Sequence, residues 1–287
     1  MPELPEVETV RRGLEPVFVG ARLARVTARR PDLRFPLPEG FGQRLTGASI
    51  LSLRRRGKYI LADLDRGETL IIHLGMTGRF GIDDPAAPPR PGAFALAAPA
   101  DPKHAHVVFE TEAGATVTYY DARRFGFMDL AASDALNAHP RFVGMGPEPL
   151  GSDFDAAGLS AAFAGRRQSV KVMLLDQHAV AGLGNIYVNE ALHRAGISPF
   201  LAAGSLRKNR LTALVSTVRT VLTEAIEAGG STLRDYADAQ GAPGYFQHAF
   251  QVYGRAGQAC LRAGCGGEVT RGVQGGRSTF SCARCQR

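Results

Sequence analysis

The sequence predicts an α+β protein of several domains: an antiparallel β-sandwich that begins with a helix, then a helical domain, then a small metal-bound β-hairpin. Three observations predict this class. Six β-type runs lie between positions 23 and 121, the hydrophobic period becomes helical after position 155, and all four cysteines fall between 260 and 285.

The chain has 287 residues, of which 45% are hydrophobic, and this is enough for more than one packed core. A stretch of linker composition, GMGPEPLGSDFD, separates the β-rich half from the helical half. The predicted division is a β-sandwich domain over 1–145, a linker over 146–152, a helical domain over 153–250 and a hairpin module over 251–287.

The first half begins with a helix predicted over 6–17, where valines and Leu14 recur with a helical period and Pro5 suits the first turn. The connections DRGE (65–68) and EAGA (112–115) are short enough for antiparallel hairpins. The predicted strands cover 23–28, 49–55, 58–64, 69–74, 106–111 and 116–121. The proline-rich stretch 83–103 predicts an exposed loop.

In the second half, Ser205 is the predicted N-cap of a long amphipathic helix that ends at Gly229. Before it, a glycine-rich turn at 182–184 precedes another helix. Backbone N–H groups at such a turn suit a phosphate, although an ordinary helix connection explains this pattern more often.

The cysteines form the pattern C-x4-C…C-x2-C: Cys260, Cys265, Cys282 and Cys285. In a reducing compartment this spacing favours zinc over two local disulfides or four free thiols. Four thiolates leave no coordination position for water, so the predicted Zn²⁺ is structural. The glycine-rich segment between the two pairs predicts two short strands and a turn.

The charge is uneven: 34 Lys and Arg against 27 Asp and Glu give +7, and the segment 253–287 holds six arginines against one acid. A concentrated basic tail favours a polyanionic partner such as nucleic acid. No apolar run reaches membrane-spanning length and the start does not resemble a signal peptide, so we expect a cytoplasmic protein, a monomer without membrane contact.

The N-terminus MPELPE offers reactive groups. Removal of Met1 leaves Pro2 with a secondary α-amine, and such amines titrate at about 7.7–8.0, well below lysine at about 10.4. Attack on a sugar aldehyde carbon would give an iminium ion that promotes phosphate elimination, with Glu3 exchanging protons. The alternative, which composition alone favours, is that the glutamates here only stabilise the helix dipole.

The sequence resembles a known family, the formamidopyrimidine-DNA glycosylases, and the resemblance covers essentially the whole chain. It implies excision of oxidised purines from double-stranded DNA, then strand cleavage by β- and δ-elimination, on a fold with a helix-two-turns-helix motif and a zinc hairpin. The motifs that carry it are PELPEVETVRRGLEP (2–16), RRRGKYIL (54–61), IHLGMTGRF (72–80), DARRFG (121–126), GLGNIYVNEALHRAGISP (182–199), GGSTLRDY (229–236), PGYF (243–246), QVYGRAGQAC (251–260) and RSTFSCARCQ (277–286).

The resemblance also implies roles for particular residues. Pro2 is the Schiff-base nucleophile, Glu3 the acid that opens the deoxyribose, Lys58 a further proton-transfer group, and Arg277 the phosphate grip of the hairpin. His104, Arg123, Arg166 and Asn185 match DNA-contacting positions. Met76, Arg123 and Phe125 match residues that fill the gap left by a flipped nucleotide. Without the resemblance, Met76 and Phe125 read as core residues and Lys58 as a solvated charge.

Two features depart from the family pattern: the first cysteine pair is wider than the expected C-x2-C, and the loop 83–103 is longer, so the match of His104 rests on KHAHV alone. Three hypotheses stay open: the purine glycosylase and lyase, an endonuclease VIII-like enzyme for oxidised pyrimidines, and a non-enzymatic DNA-binding protein. The start PELPE favours the first. No small-molecule cofactor is implied, and the site of action is the bacterial nucleoid.

Overall fold

The computed structural model describes residues 2–85, 101–231 and 244–287, which form two compact units. One unit comprises residues 1–143 with 228–245, and the other comprises 144–227 with 246–287. Of the residues 228–245, the described ones, 228–231 and 244–245, group with the β-rich unit. Most of the predicted loop 83–103, residues 86–100, lies outside the described residues.

The first unit contains a helix and two four-stranded antiparallel sheets, so the predicted β-sandwich is confirmed. Helix α1 spans Leu4–Phe18. One sheet has the order β1 (Leu23–Ala28), β6 (Ala105–Thr111), β7 (Thr116–Asp121), β5 (Gly78–Asp83). The other has the order β2 (Ile50–Arg56), β3 (Tyr59–Leu64), β4 (Glu68–His73), β8 (Phe127–Ala132). A short helix α2 spans Phe41–Leu45.

Helix α1 belongs to the hydrophobic core. Its apolar face, Val7, Val10 and Leu14, is almost completely buried in one cluster with residues from both sheets. An apolar stripe with helical spacing has to be covered in this way, and the covering fixes the orientation of the helix. The chain start is therefore anchored, in contrast to most termini.

Several elements differ from the sequence-based prediction. Helix α1 begins at Leu4, two residues earlier than predicted, because Glu3 is its N-cap and Pro5 occupies the first turn. Strands β5 and β8 and helix α2 were not predicted. Strand β5 has the sequence GRFGID, whose two glycines weaken the strand signal, although its pairing with β7 is regular over six residues.

The second unit is helical with a terminal hairpin. Its elements are α3 (Ala156–Phe163), α4 (Val170–Leu175), α5 (Asn185–Arg194), α6 (Lys208–Glu227), β9 (Thr270–Gln274) and β10 (Arg277–Ser281). Ser205 is not the N-cap of α6: it ends a 3-10 turn, Ala203–Ser205, and Leu206 is extended before the helix begins. Across the described ranges, no helix is both long and apolar enough to cross a membrane.

Candidate functional site

The chain start is a buried, hydrogen-bonded structure. Pro2, Glu3 and Glu6 are all buried, and the two glutamates are 4% and 2% exposed. Glu3 is the N-cap of α1, and its backbone N–H donates to Glu6 Oε2 at 2.8 Å. The acid expected to act beside Pro2 is thus held at the first turn of a core helix.

The other oxygen of Glu6 reaches a distant segment. Glu6 Oε1 accepts hydrogen bonds from the Ser231 backbone N–H at 2.8 Å and from the Ser231 hydroxyl at 3.0 Å. Ser231 also forms an isolated antiparallel β-bridge with Tyr245. Residues 232–243, which lie between them in sequence, are outside the described part of the chain. The approach requires glycine at 230, where φ is +80° and a Cβ would lie 3.0 Å from Glu6 Cγ.

Lys58 lies in the two-residue turn between β2 and β3. The turn is Gly57-Lys58, with Gly57 at φ +56° and Arg56 paired with Tyr59 on its two sides. A two-residue hairpin loop favours glycine at such a position. Lys58 is only 8% exposed, so the interpretation as a solvated strand charge is wrong.

His73, at the end of β4, is close enough to Lys58 to be influenced by its charge. Burial, with a smaller contribution from the charges of Lys58 and two arginines, lowers the pKa of His73 to about 4. The His73 Nδ1 accepts a hydrogen bond from the Gly75 N–H at 3.0 Å, and the ring stacks on Phe127. His73 is therefore neutral at pH 7, with its proton on Nε2.

The three residues expected to fill the gap of a flipped nucleotide lie on two adjoining loops. Met76 follows β4, and Arg123 and Phe125 follow β7. Met76 and Phe125 are 36% and 42% exposed, so their interpretation as core residues is wrong. The Arg123 guanidinium lies 4.6 Å from the centroid of the Phe125 ring.

Asp121 holds these two loops together. Its buried carboxylate accepts hydrogen bonds from the Thr77 hydroxyl at 2.5 Å and from the N–H groups of Gly126 at 2.8 Å and Arg123 at 3.3 Å. The Thr77 hydroxyl accepts in turn from the Arg123 N–H at 3.1 Å. One carboxylate thereby fixes the backbone on both sides of the exposed side chains.

The same loops approach each other backbone to backbone. Gly75 has φ +62°, and a Cβ there would lie 2.2 Å from the Phe125 carbonyl carbon and from the Gly126 nitrogen. Arg124 has φ +53°, the one non-glycine residue of the described chain with positive φ. For a non-glycine residue this conformation is costly, and such strain concentrates at functional loops.

His104 and Arg166 lie on the surface. His104 ends the 3-10 turn Pro102–His104 and is half-buried, whereas His106, two residues later, is buried with Nε2 at 2.8 Å from the Asp121 carbonyl oxygen. Arg166 is exposed just after α3, and its backbone N–H donates to the Phe163 carbonyl at 3.0 Å. Within the described parts of its own unit, no hydrogen bond or ion pair joins the side chain of either residue to another predicted site residue.

Asn185, the first residue of α5, faces the C-terminal hairpin. Its Nδ2 donates to the Ser278 carbonyl at 3.0 Å, and Lys171 Nζ donates to the same oxygen at 2.8 Å and to Thr279 Oγ1 at 2.7 Å. Lys171 is completely buried. Burial, followed by the charge of Arg277, lowers the pKa of the Lys171 amine to about 8.

Arg277 is presented at the tip of the hairpin. The turn Gly275-Gly276 has φ +54° and +71°, and Arg277 is the first residue of β10, opposite Gln274. Positive φ at both turn positions is typical of the tight hairpin turn that glycine favours. Arg277 is exposed.

The four cysteines converge as predicted. Their Sγ atoms all lie within 4.8 Å of one another, and the Cys265–Cys282 and Cys260–Cys285 pairs are 3.6 and 3.8 Å apart. Tetrahedral Zn²⁺ with Zn–S bonds of about 2.3 Å separates its sulfurs by roughly 3.8 Å. All four thiols are free, so the disulfide alternative is wrong and the donor set fits a metal ion.

His73, Asp121 and Lys171 were not singled out from the sequence; Asp121 and Lys171 are buried and His73 is half-buried. Each has a signal in the sequence. His73 ends an apolar strand just before the motif GMTG, and Asp121 ends one just before RRFG. Lys171 interrupts the apolar run VKVMLL. Asp121 and Lys171 have hydrogen-bond partners that are distant along the chain. His73 instead accepts from Gly75, two residues away.

Comparison with known proteins agrees with this arrangement. Models of the formamidopyrimidine-DNA glycosylase N-terminal domain and H2TH domain match residues 1–128 and 145–237. A formamidopyrimidine-DNA glycosylase from Caulobacter sp. (strain K31) is 65% identical over 286 residues, which is all of both chains.

Two solved structures are similar over the full length of both chains at 34% identity. One is a Lactococcus lactis Fpg variant in complex with Fapy-dG-containing DNA, with a TM-score of 0.85. The other is the wild-type Lactococcus lactis Fpg with DNA that contains an oxidised pyrimidine, with a TM-score of 0.84. With both domain models matched and the identity extending over the whole chain, this protein belongs to the formamidopyrimidine-DNA glycosylase family.

Proposed function

We propose that this protein is a DNA repair glycosylase and AP lyase that excises oxidised purines from double-stranded DNA and acts as a monomer at the bacterial nucleoid. The observation that carries the proposal is the chain start, where Pro2 and Glu3 are buried and fixed on a core helix by Glu6. A protein that only binds DNA has no use for a secondary amine anchored in this way.

In the proposed reaction, the Pro2 nitrogen attacks the sugar carbon C1′ as the bond to the damaged base breaks; the base leaves with the electron pair and takes up the proton that the amine nitrogen loses. Glu3 donates a proton to the ring oxygen, which opens the sugar and gives an iminium ion. The iminium acidifies C2′, and loss of that proton expels the 3′ phosphate; a second elimination expels the 5′ phosphate. The step needs Pro2 as a free amine, hence removal of Met1.

Other residues of the first unit act on the DNA. Lys58, 8% exposed in its turn, transfers protons and contacts phosphate. Met76, Phe125 and Arg123 enter the space of the extruded nucleotide, where the ring and thioether replace lost stacking and the guanidinium bonds the orphaned base. His104 contacts the backbone.

The second unit supplies further phosphate contacts. The exposed Arg277 grips a phosphate from the hairpin tip and assists the second elimination, and Asn185 and Arg166 contact the strand. Zn²⁺ held by the four cysteines stabilises the hairpin that presents Arg277. It takes no part in the bond-breaking steps.

Borohydride trapping tests the proposal. Duplexes with 8-oxoguanine opposite cytosine should give a covalent adduct with the wild-type chain, and Pro2→Gly should give none. Glu3→Gln should bind the duplex without turning it over. Absence of an adduct on both the purine and the pyrimidine lesion would overturn the enzyme assignment. Trapping only on an oxidised pyrimidine would assign the endonuclease VIII-like activity instead.

A further inference from the structure

A fifth side chain lies within hydrogen-bonding reach of the cysteine cluster. His193, near the end of α5, places its Nε2 at 3.3 Å from Cys260 Sγ and 3.8 Å from Cys285 Sγ. The imidazole is 2% exposed. The two sulfurs that it approaches belong to the less buried cysteines of the four.

The surroundings of the ring determine which nitrogen carries the proton. His193 Nδ1 is buried and has no hydrogen-bond partner in the described parts of the chain. A neutral imidazole has one N–H, which at Nδ1 would face no acceptor and at Nε2 faces two sulfurs. The favoured tautomer is therefore an Nε2–H donor directed at the thiolates.

This donor has a specific use at a four-thiolate site. A divalent ion with four thiolates carries two excess negative charges shared by the four sulfurs, and two of the four cysteines, Cys265 and Cys282, are buried. A hydrogen bond from N–H to a metal-bound thiolate offsets part of that charge and orients the ligand. The four sulfurs already complete a tetrahedron, so His193 is a donor to a ligand and is not itself a ligand.

The four residues between Cys260 and Cys265 include one that contacts the end of the helix that carries His193. Arg262 lies between Cys260 and Cys265, and its guanidinium donates to the carbonyl oxygens of His193 and Arg194, the latter at 3.1 Å. A cation at the C-terminus of a helix is stabilising, because the last carbonyls lack partners within the helix. The residues between the cysteines thus fix the helix end from which His193 reaches the cluster.

We propose that His193 is a positioning residue for the metal: its Nε2–H donates a hydrogen bond to the Cys260 thiolate, shared with Cys285, and slows release of the ion. The proposal rests on a metal held by the four cysteines. Partners of metal ligands are typically worth roughly 10- to 100-fold in metal affinity, so loss of the donor should speed metal release about 10-fold or more.

Full-length protein with His193→Phe or His193→Gln tests this. The phenylalanine keeps an aromatic ring without the donor, and the glutamine keeps an N–H near the position of Nε2. In the Co²⁺-loaded protein, His193→Phe should shift the sulfur-to-cobalt charge-transfer band to lower energy and speed transfer of zinc to a chromogenic chelator. His193→Gln should restore both toward wild type. His178→Phe, a histidine change elsewhere in the same unit, should change neither.

Equal effects of the two His193 variants would show a packing role and overturn the proposal, as would an unchanged band and release rate. If the variants fail to fold, a measurement on the wild type alone still tests the proposal. Imidazole ¹⁵N shifts of His193 should show a proton on Nε2 only, with a coupling to ¹¹³Cd in the cadmium-loaded protein; a proton on Nδ1 overturns the proposal. A wild-type chain that binds no metal overturns the metal site itself, and this role with it.

Discussion

The backbone N–H of Glu3 donates to the same Glu6 carboxylate that accepts both hydrogen bonds of Ser231. One side chain thereby joins the first turn of α1 to Ser231. Glu6→Gln should weaken this junction, because an amide offers one acceptor oxygen where the carboxylate uses two. We expect a loss of about 1–3 kcal/mol in the free energy of unfolding and slower borohydride trapping.

The matched control is Glu15→Gln on the same helix. Glu15 is about half exposed and pairs with Arg11 at 3.1 Å, so its removal should cost at most about 0.5 kcal/mol and leave trapping unchanged. Similar effects of the two variants in urea denaturation would contradict the role given to Glu6.

Asp121→Asn should disorganise both loops that carry the exposed side chains. The amide has a single acceptor for the Thr77 hydroxyl and the two N–H groups, and its own N–H₂ would face those donors. We expect about 1–3 kcal/mol of destabilisation and weaker binding to a duplex with an abasic site, with little change for undamaged DNA. Thr118→Val, on the same strand, is the control. Unchanged discrimination between the two duplexes would contradict the prediction.

His73 should make the protein sensitive to acid. Its pKa is lowered from 6.5 to about 4, so the folded chain binds fewer protons than the unfolded chain between these pH values. Stability at this residue is complete above pH 6.5 and falls as the pH drops toward 4, by about 3 kcal/mol in total. His73→Asn keeps an acceptor for Gly75 and should lack this component. The His73 ring proton shift in NMR gives the pKa directly, and a value near 6.5 would contradict it.

Arg277 and Arg271 provide a comparison within one hairpin. Both are exposed, but only Arg277 lies beside the glycine turn. Arg277→Ala should weaken binding to abasic-site DNA, lower the salt dependence of log K by about 0.9, and slow the second elimination. Arg271→Ala removes the same charge and should affect the elimination little. Equal loss of elimination in both would indicate a general effect of charge.

Removal of the metal should release the hairpin. Cys282 is fully buried in the cluster, so Cys282→Ser should lose the bound ion and, with it, the binding of DNA. Chelation of the wild type should do the same, and added zinc should restore binding in the wild type only. Native mass spectrometry measures the metal, and full DNA binding by a metal-free chain would contradict the prediction.

Sequence patterns predicted the elements whose periodicity is strong. Helix α1, six of the strands of the sandwich and the turn of the hairpin follow from apolar spacing and from paired glycines. Strand β5 and helix α2 were not predicted, because both are short and rich in glycine or polar residues. Their formation depends on the neighbours with which they pair.

The site divides along similar lines. The roles proposed for the N-terminal proline and the cysteines were predicted from residue type and spacing. Asp121 and Lys171 act through partners more than 40 and 100 residues away along the chain, respectively, and no local pattern indicates those contacts. Met76 and Phe125 show the limit most clearly, because their apolar side chains suggest a core and the folded loops expose them.

The contact of Gly75 with the backbone of Phe125 and Gly126 has a kinetic consequence. No side chain separates the two loops at this point, and the Thr77–Asp121 hydrogen bond joins them. Met76 and Phe125 therefore belong to one packed unit, the two loops together. The two loops should move together. A fluorescent label at position 76 and one at position 125 should therefore report the same relaxation time when the protein binds DNA. The two positions would then vary together over evolution, since a change in one loop displaces the other.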